Sequence, residues 1–234
     1  MNWTALVLFI FVGGIGCALA QDQDVEGVSR RLARERAGRI SDVRYDLSFT
    51  LTPGAPTVAG EVRIRFSLTR TNPLLLDFRQ GRVGAVQING VTSPVVLERG
   101  HLELFPASLK RGENEIRIEF TSPVAAAGTA IHRFQDRDDG GEYIYTLFVP
   151  MDASMAFPCF DQPDLKARFK LAVTAPRSWT VVSNGPVESV AEADAEQSRT
   201  VFGETQPIST YLLAFAAGPW SVGDGPETQP AGCG

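Results

Sequence analysis

From Ser41 onward the hydrophobic period of this chain is two. In "DVRYDLSFTL" the apolar residues Val43, Tyr45, Leu47, Phe49 and Leu51 alternate with Arg44, Asp46, Ser48 and Thr50, the pattern of a strand with one face in a core and one in water. Pro53-Gly54 then offers a turn, and "VAGEVRIRFSL" alternates again through Val62, Ile64, Phe66 and Leu68. Strand, Pro-Gly turn and strand make an antiparallel pair.

The alternation recurs in "LLLDF" (74–78), "VGAVQINGVTSPVVLE" with its Asn89-Gly90 turn, "HLELF" (101–105) and "NEIRIEFTS" (114–122). Beyond a small-residue loop at 123–130 come "EYIYTLFV" (142–149), "ARFKLAVTA" (167–175), "WTVVSNG" (179–185) and "SRTVFGET" (198–205). The segment "STYLLAFAAG" (209–218) is almost continuously apolar and reads as a strand buried on both faces. Short strands at this spacing, with no long helix between 41 and 222, predict an all-β chain folded as an antiparallel β-sandwich.

The ends read differently. An apolar run from Ala5 to Ala20 closes on Ala18-Leu19-Ala20, the small-x-small pattern of a cleaved secretory signal, so residues 1–20 are expected to be a signal peptide. Export to the periplasm or the cell exterior follows, with a membrane anchor the alternative if the signal stays uncleaved. Residues 21–40 read as a short lead-in helix, with Val28, Leu32, Ala33 and Ala37 as a thin apolar stripe and five arginines between 30 and 39 on a solvated face. Residues 223–234 read as a disordered tail or linker.

Several chemistries are excluded by residue count or spacing. The net charge of −5 gives no electrostatic support to nucleic-acid binding. There are two histidines, His101 and His132, too far apart for an H-E-x-x-H zinc helix, and each reads as a structural or surface residue. Asp136, Asp138 and Asp139 before Gly140-Gly141 lack the spacing of a calcium loop and read as a solvated connection. No G-x-S-x-G elbow and no phosphate loop occurs. Removal of the signal takes Cys17 with it and leaves Cys159 and Cys233, whose pairing would require the tail to fold back.

The remaining singular feature is "FPCFDQPD". Pro158 and Pro163 restrict their preceding residues to extended backbone, which makes a rigid corner, with Phe157 and Phe160 expected under the sheet and Asp161 expected to accept from the turn amides after it. Cys159 between Pro158 and Phe160 has no base beside it and reads as a buried, inert thiol.

The run "FPCFDQPDLKARFKL", with "HRFQDRDDGGEYIYTLF" upstream and "VVSNGP" and "STYLLAFAAG" downstream, resembles the N-terminal domain of the aminopeptidase N family of zinc metallopeptidases, the gluzincins, and within it the bacterial aminopeptidase N type. The likeness spans about 26 to 222. It implies a saddle-like β-domain over residues 41–222 that covers a catalytic domain, with the corner residues Phe157, Pro158, Cys159, Phe160, Asp161 and Pro163 packing its substrate-facing edge against that domain. The zinc helix, the Gly-x-Met-Glu-Asn motif and the transition-state tyrosine of the family have no counterpart in these 234 residues. The expectation is a truncated chain or gene fragment, catalytically silent alone, with zinc and the peptide substrate belonging to the absent catalytic domain.

Family members usually read Thr-Gln-Phe-Glu-Pro ahead of the corner, and the Gln and Glu help hold the free amine of the substrate. This chain reads "TLFVP", which places Leu147 and Val149 at those substrate-binding positions. Neither side chain accepts from an ammonium group. Ser154 and Met155 likewise stand where relatives often carry basic residues. Two further expectations differ in class: a stand-alone exported binding module without enzymatic activity, and a subunit that docks on a separate catalytic chain through an apolar patch around the corner.

Overall fold

In a computed structural model the described residues are 27–220. The expected signal peptide with Cys17, and the tail with Cys233, lie outside them. A helix, α1 (Arg30–Ala37), leads into β1 (Ile40–Thr50), β2 (Thr57–Leu68), β3 (Leu74–Asp77), β4 (Arg82–Ile88), β5 (Val91–Thr92), β6 (Val96–Glu98), β7 (His101–Leu104) and β8 (Gly112–Ala125). The second half holds β9 (Ile131–Gln135), β10 (Glu142–Thr146), β11 (Arg168–Pro176), β12 (Thr180–Ser183), β13 (Val187–Glu192), β14 (Gln197–Phe202) and β15 (Phe215–Gly218).

The large sheet runs in the order β12-β15-β10-β9-β8-β2-β1-β11-β14-β13, and β3, β7 and β6 form a second, smaller sheet. Its spine is β8. Along one side it pairs with β2 from Thr57↔Pro123 to Leu68↔Gly112. On its other side it holds β4 and then, at Val124 and Ala125, β9. The joins are antiparallel except β1 with β11 and β8 with β9.

The alternation of the first strands is the alternation of burial: Val43, Tyr45, Leu47, Phe49, Leu51, Val62, Ile64, Phe66 and Leu68 are all buried. Their rings meet others from distant segments. Tyr45 stacks on Phe169 with centroids 4.8 Å apart, and Phe49 meets Phe120 edge-on at 5.8 Å. Each such side chain contributes about 1.5–3 kcal/mol by leaving water.

Four expectations need correction. The segment 209–218 is not a strand buried on both faces: Thr210–Leu212 is a 3-10 turn and only Phe215–Gly218 is β15, with Leu212 exposed. Its apolar run serves a turn and an alternating strand in succession. Among the described residues the helix covers Arg30–Ala37, and its arginines are not all solvated, since Arg36 is fully buried. Residues 133–135, at the start of the stretch "RFQDRDDGGEY" expected to be a solvated loop, belong to β9, which pairs with β10 around the acidic turn. The strand expected over 142–149 ends at Thr146.

The turns follow backbone chemistry. Asn89 and Gly90 both take positive φ, 53° and 82°, between β4 and β5. Gly81 enters β4 at φ +114°, and a Cβ there would stand 2.0 Å from the Thr121 carbonyl oxygen. Gly54 also has positive φ but open space around it. Gly81→Ala is therefore expected to lose about 2–5 kcal/mol by adding a backbone clash to the dihedral cost. Gly54→Ala is expected to lose about 1–2 kcal/mol. Urea unfolding of the two variants checks this, and equal losses would contradict it.

Candidate functional site

The corner is anchored by a buried polar network whose centre is Asp77, at the end of β3. Its carboxylate receives the Arg36 guanidinium in a two-pronged contact, at 2.6 and 2.7 Å. It also accepts the Asp161 amide at 2.8 Å and lies 2.8 Å from His101 Nδ1. The backbone of Asp77 pairs with that of Cys159 in both directions, at 2.8 and 3.0 Å. One residue thus ties the helix, the small sheet and the corner together.

Helix α1 is placed by its ends. Ser29 caps it by accepting from the Leu32 amide at 3.2 Å, and Gly38 closes it. This directs Arg36 inward, where it also donates to the Leu75 carbonyl at 2.7 Å and sits 5.6 Å from the Phe160 ring centroid. Burial alone would raise the pKa of Asp77, but the Arg36 charge and the hydrogen bonds from His101, Arg36 and the Asp161 amide outweigh it and hold the carboxyl below the usual range. His101 is a structural partner here. His132 lies on β9 and stacks on Tyr145 with centroids 5.3 Å apart.

Asp161 reaches backward and across, not to the amides after it. Its two oxygens accept from the Ser154 amide at 2.9 Å and the Thr210 hydroxyl at 2.8 Å. The reason is the 3-10 turn Ala153–Met155, which aims a free amide at the corner. Burial raises the pKa of this second carboxyl, and these hydrogen bonds only partly offset that. Arg79 fastens the same turn from outside, donating to Ser154 Oγ at 2.9 Å and to Asp152 at 2.5 Å. Gln162 donates to the Ala33 carbonyl of α1 at 3.0 Å.

Residues Phe157, Pro158, Cys159, Phe160 and Asp161 are buried inside this domain, while Pro163 is exposed. The aromatic part of the corner therefore contacts this domain's own core, and any outside partner meets what flanks it. Phe160 donates its amide to the Tyr45 hydroxyl at 2.9 Å. The Cys159 thiol is fully buried, and burial followed by the nearby Asp161 and Asp77 charges pushes its pKa well up. That disfavours the thiolate through which cysteine reacts.

Upstream the environment reverses. Leu147 is 53% and Val149 58% exposed, with Met151 also at the surface. Among the described residues no group of three His, Cys, Asp or Glu side chains is arranged to hold a metal ion. They do not fit a zinc ion, and the resemblance assigns that ion to the catalytic domain, not to this one.

The network was half legible in sequence. "FPCFDQPD" announced itself, but Asp77 closes an ordinary strand and Arg36 is one of five arginines in a polar helix. Only the even spacing that leaves Leu32 and Arg36 on one helical face could have marked the second.

A family model for the Peptidase M1 N-terminal domain matches residues 41–212. The chain is 31% identical over 198 residues to aminopeptidase N of Streptomyces lividans, covering 82% of this chain and 22% of that one. It is 40% identical over 191 residues to aminopeptidase A of Gloydius brevicauda, covering 76% and 20%. An M1 zinc metallopeptidase from Deinococcus radiodurans superposes with a TM-score of 0.63 at 25% identity, over 77% of this chain and 42% of that chain. The chain belongs to the M1 peptidase N-terminal domain family, and it spans about a fifth of the length of the two curated relatives.

Asp77→Asn strands the buried Arg36 charge and is expected to lose about 3–5 kcal/mol near neutral pH. Because the folded pKa of Asp77 is depressed, its contribution is complete above the unfolded value of about 3.9 and is lost as pH falls through the lower folded value. The gap between wild type and Asp77→Asn should therefore narrow below about pH 4 in denaturant titrations. A constant gap down to about pH 2 would contradict the assignment. Asp161 has the opposite sign: its raised pKa favours the fold at low pH, and that gain disappears as pH rises through its folded value.

Proposed function

We propose that this domain walls the substrate cleft of an aminopeptidase N-like zinc peptidase acting on peptide N-termini. The observation that carries the reading is the pairing of an immobilised corner with an exposed flank. Phe157 to Gln162 are buried and tied to three elements, while Leu147 and Val149 present apolar side chains to solvent just upstream. A wall needs that combination, because a group held within tenths of an ångström positions a substrate and a mobile one does not.

In the family that the chain resembles, these two positions hold the substrate's amine. Leu147 and Val149 offer it no acceptor. The amine is then held by residues of the catalytic domain, and the wall contributes apolar contact and exclusion of water. Cleavage requires the zinc of that domain, and the proposed site of action is outside the cytoplasm, in keeping with the apolar run Ala5–Ala20. The exposed Leu147 and Val149 also suit a stand-alone binding module, which the same assays separate.

This chain with zinc and aminoacyl-anilides is expected to show no turnover; turnover abolished by chelation would contradict the cleft-wall role. In a fusion that replaces the N-terminal quarter of the Streptomyces lividans aminopeptidase N with this chain, activity is expected. There, Leu147→Gln with Val149→Glu should lower KM about ten-fold or more, the worth of a charge-assisted hydrogen bond. An inactive but folded fusion would favour the binding module.

A further inference from the structure

Near its start β1 bulges away from β2. Between the pairs Ser41↔Ser67 and Arg44↔Arg65 the register slips, so Asp42 and Val43 together stand opposite Phe66. A bulge of this kind bends its strand and re-aims the side chains beside it, and Asp42 takes φ +54° within it. A groove of about 420 Å³ opens there, its charged lining supplied by Asp42, Arg44, Arg65, Lys110, Glu113 and Glu115. The groove belongs to the solvent face of the sheet, since Tyr45, Ile64 and Ile116, which alternate with Arg44, Arg65 and Glu115, are buried.

The charges in this groove are arranged in rows. Arg44 stands directly opposite Arg65, and Arg65 directly opposite Glu115; one row on, Ser67 faces Glu113. Two like charges placed opposite each other across a strand pair repel. Arg65 gives its ion pair to Asp46 at 3.1 Å and Arg44 to Glu204 at 2.5 Å, and neither carboxylate lines the groove. A guanidinium has five donors, so both arginines keep donors for a further anion. The side chains of Lys110, Glu113 and Glu115 make no ion pair or hydrogen bond among the described residues, although the backbones of Lys110 and Glu115 are bonded. Opposite charges therefore share the groove without satisfying one another.

We propose that this groove binds a free α-amino acid as its zwitterion, with the carboxylate between the Arg44 and Arg65 guanidiniums and the ammonium on Glu115 and Glu113. Directly opposed side chains on neighbouring strands start about 4.5–5.5 Å apart. An α-ammonium and its own carboxylate fit that span, whereas the two termini of a peptide overrun it. A bare anion would leave Glu113 and Glu115 unmet, and a bare cation would leave the two arginines facing each other. Charge-assisted hydrogen bonds at both ends are what select the zwitterion. The site uses neither the corner nor Leu147 and Val149, so it stands apart from the cleft-wall reading. Its ligand is nevertheless the class of molecule that hydrolysis from a peptide N-terminus releases.

The test is two-dimensional NMR of the 234-residue chain titrated with glycine at low salt. The amides of Arg44, Arg65 and Glu115 are expected to shift together and to saturate with a Kd of about 1 mM. Glycinamide, which lacks the carboxylate, and N-acetylglycine, which lacks the ammonium, should each bind at least about ten-fold more weakly. Glycine should lose a similar factor on Arg65→Gln or Glu115→Gln, whereas Arg117→Gln, on the same face but outside the groove, should leave its binding unchanged. Added salt should weaken binding, because the groove is open to solvent. No shift at these amides with glycine at about 50 mM overturns the inference. N-acetylglycine matching glycine overturns it in favour of a simple anion site, and diglycine matching glycine overturns it in favour of a peptide terminus. Shifts confined to Leu147 and Val149 overturn it by placing the ligand on the cleft wall. None of these outcomes alters the turnover and fusion assays by which the cleft-wall reading stands or falls.

Discussion

A carboxylate that has given up water must find donors for its oxygens, and Asp77 finds them in three separate parts of the chain. Arg36 comes from the helix, His101 from the neighbouring strand of the small sheet, and the Asp161 amide from the corner. A buried ion pair of this kind adds little net stability compared with apolar side chains of the same shape. What it imposes is placement: any arrangement that fails to bring the three donors to Asp77 leaves a charge stranded in the core. The corner backbone is then fixed by its two-way pairing with Asp77, and the aromatic side chains Phe157 and Phe160 fall into the space left between Tyr45, Phe49 and Phe66.

The clamp explains how rigidity and exposure coexist within twenty residues. Phe157 to Gln162 are held by side chains and backbone of α1, β3 and the two 3-10 turns. Leu147, Val149 and Met151 sit just upstream, outside the network and open to solvent. Arg79, through Ser154 and Asp152, is the link between the two regions. A surface that is itself unpartnered is thereby given a fixed position, which is the physical requirement for either a substrate wall or a docking face.

The strands were legible because burial on one face leaves a period of two, and β1, β2 and β8 show it over their whole length. The corner was legible because two prolines and two aromatics in seven residues have few structural uses. What escaped was long-range or two-sided. Locally only its i, i+4 spacing from Leu32 sets Arg36 apart from Arg34, and the partner that explains it is 41 positions away. The run 209–218 looked like one buried strand because a 3-10 turn and a strand, each with its own buried face, were joined without polar punctuation. β9 was hidden by its shortness and by the exposed Phe134 and Gln135 at its end. Asp161 was expected to serve its own turn, but the amide that claims it comes from the turn before.

If Asp77 is what the domain is built around, the corner cannot open without the core opening. Native-state hydrogen exchange reads this directly. The amides of Asp77, Cys159, Phe160 and Asp161, each bonded within the network, should exchange only by global unfolding, with the same free energy and denaturant slope as the central pairs of β2 and β8. Exchange of these four by a local opening, at markedly lower free energy and with little denaturant dependence, would contradict the account.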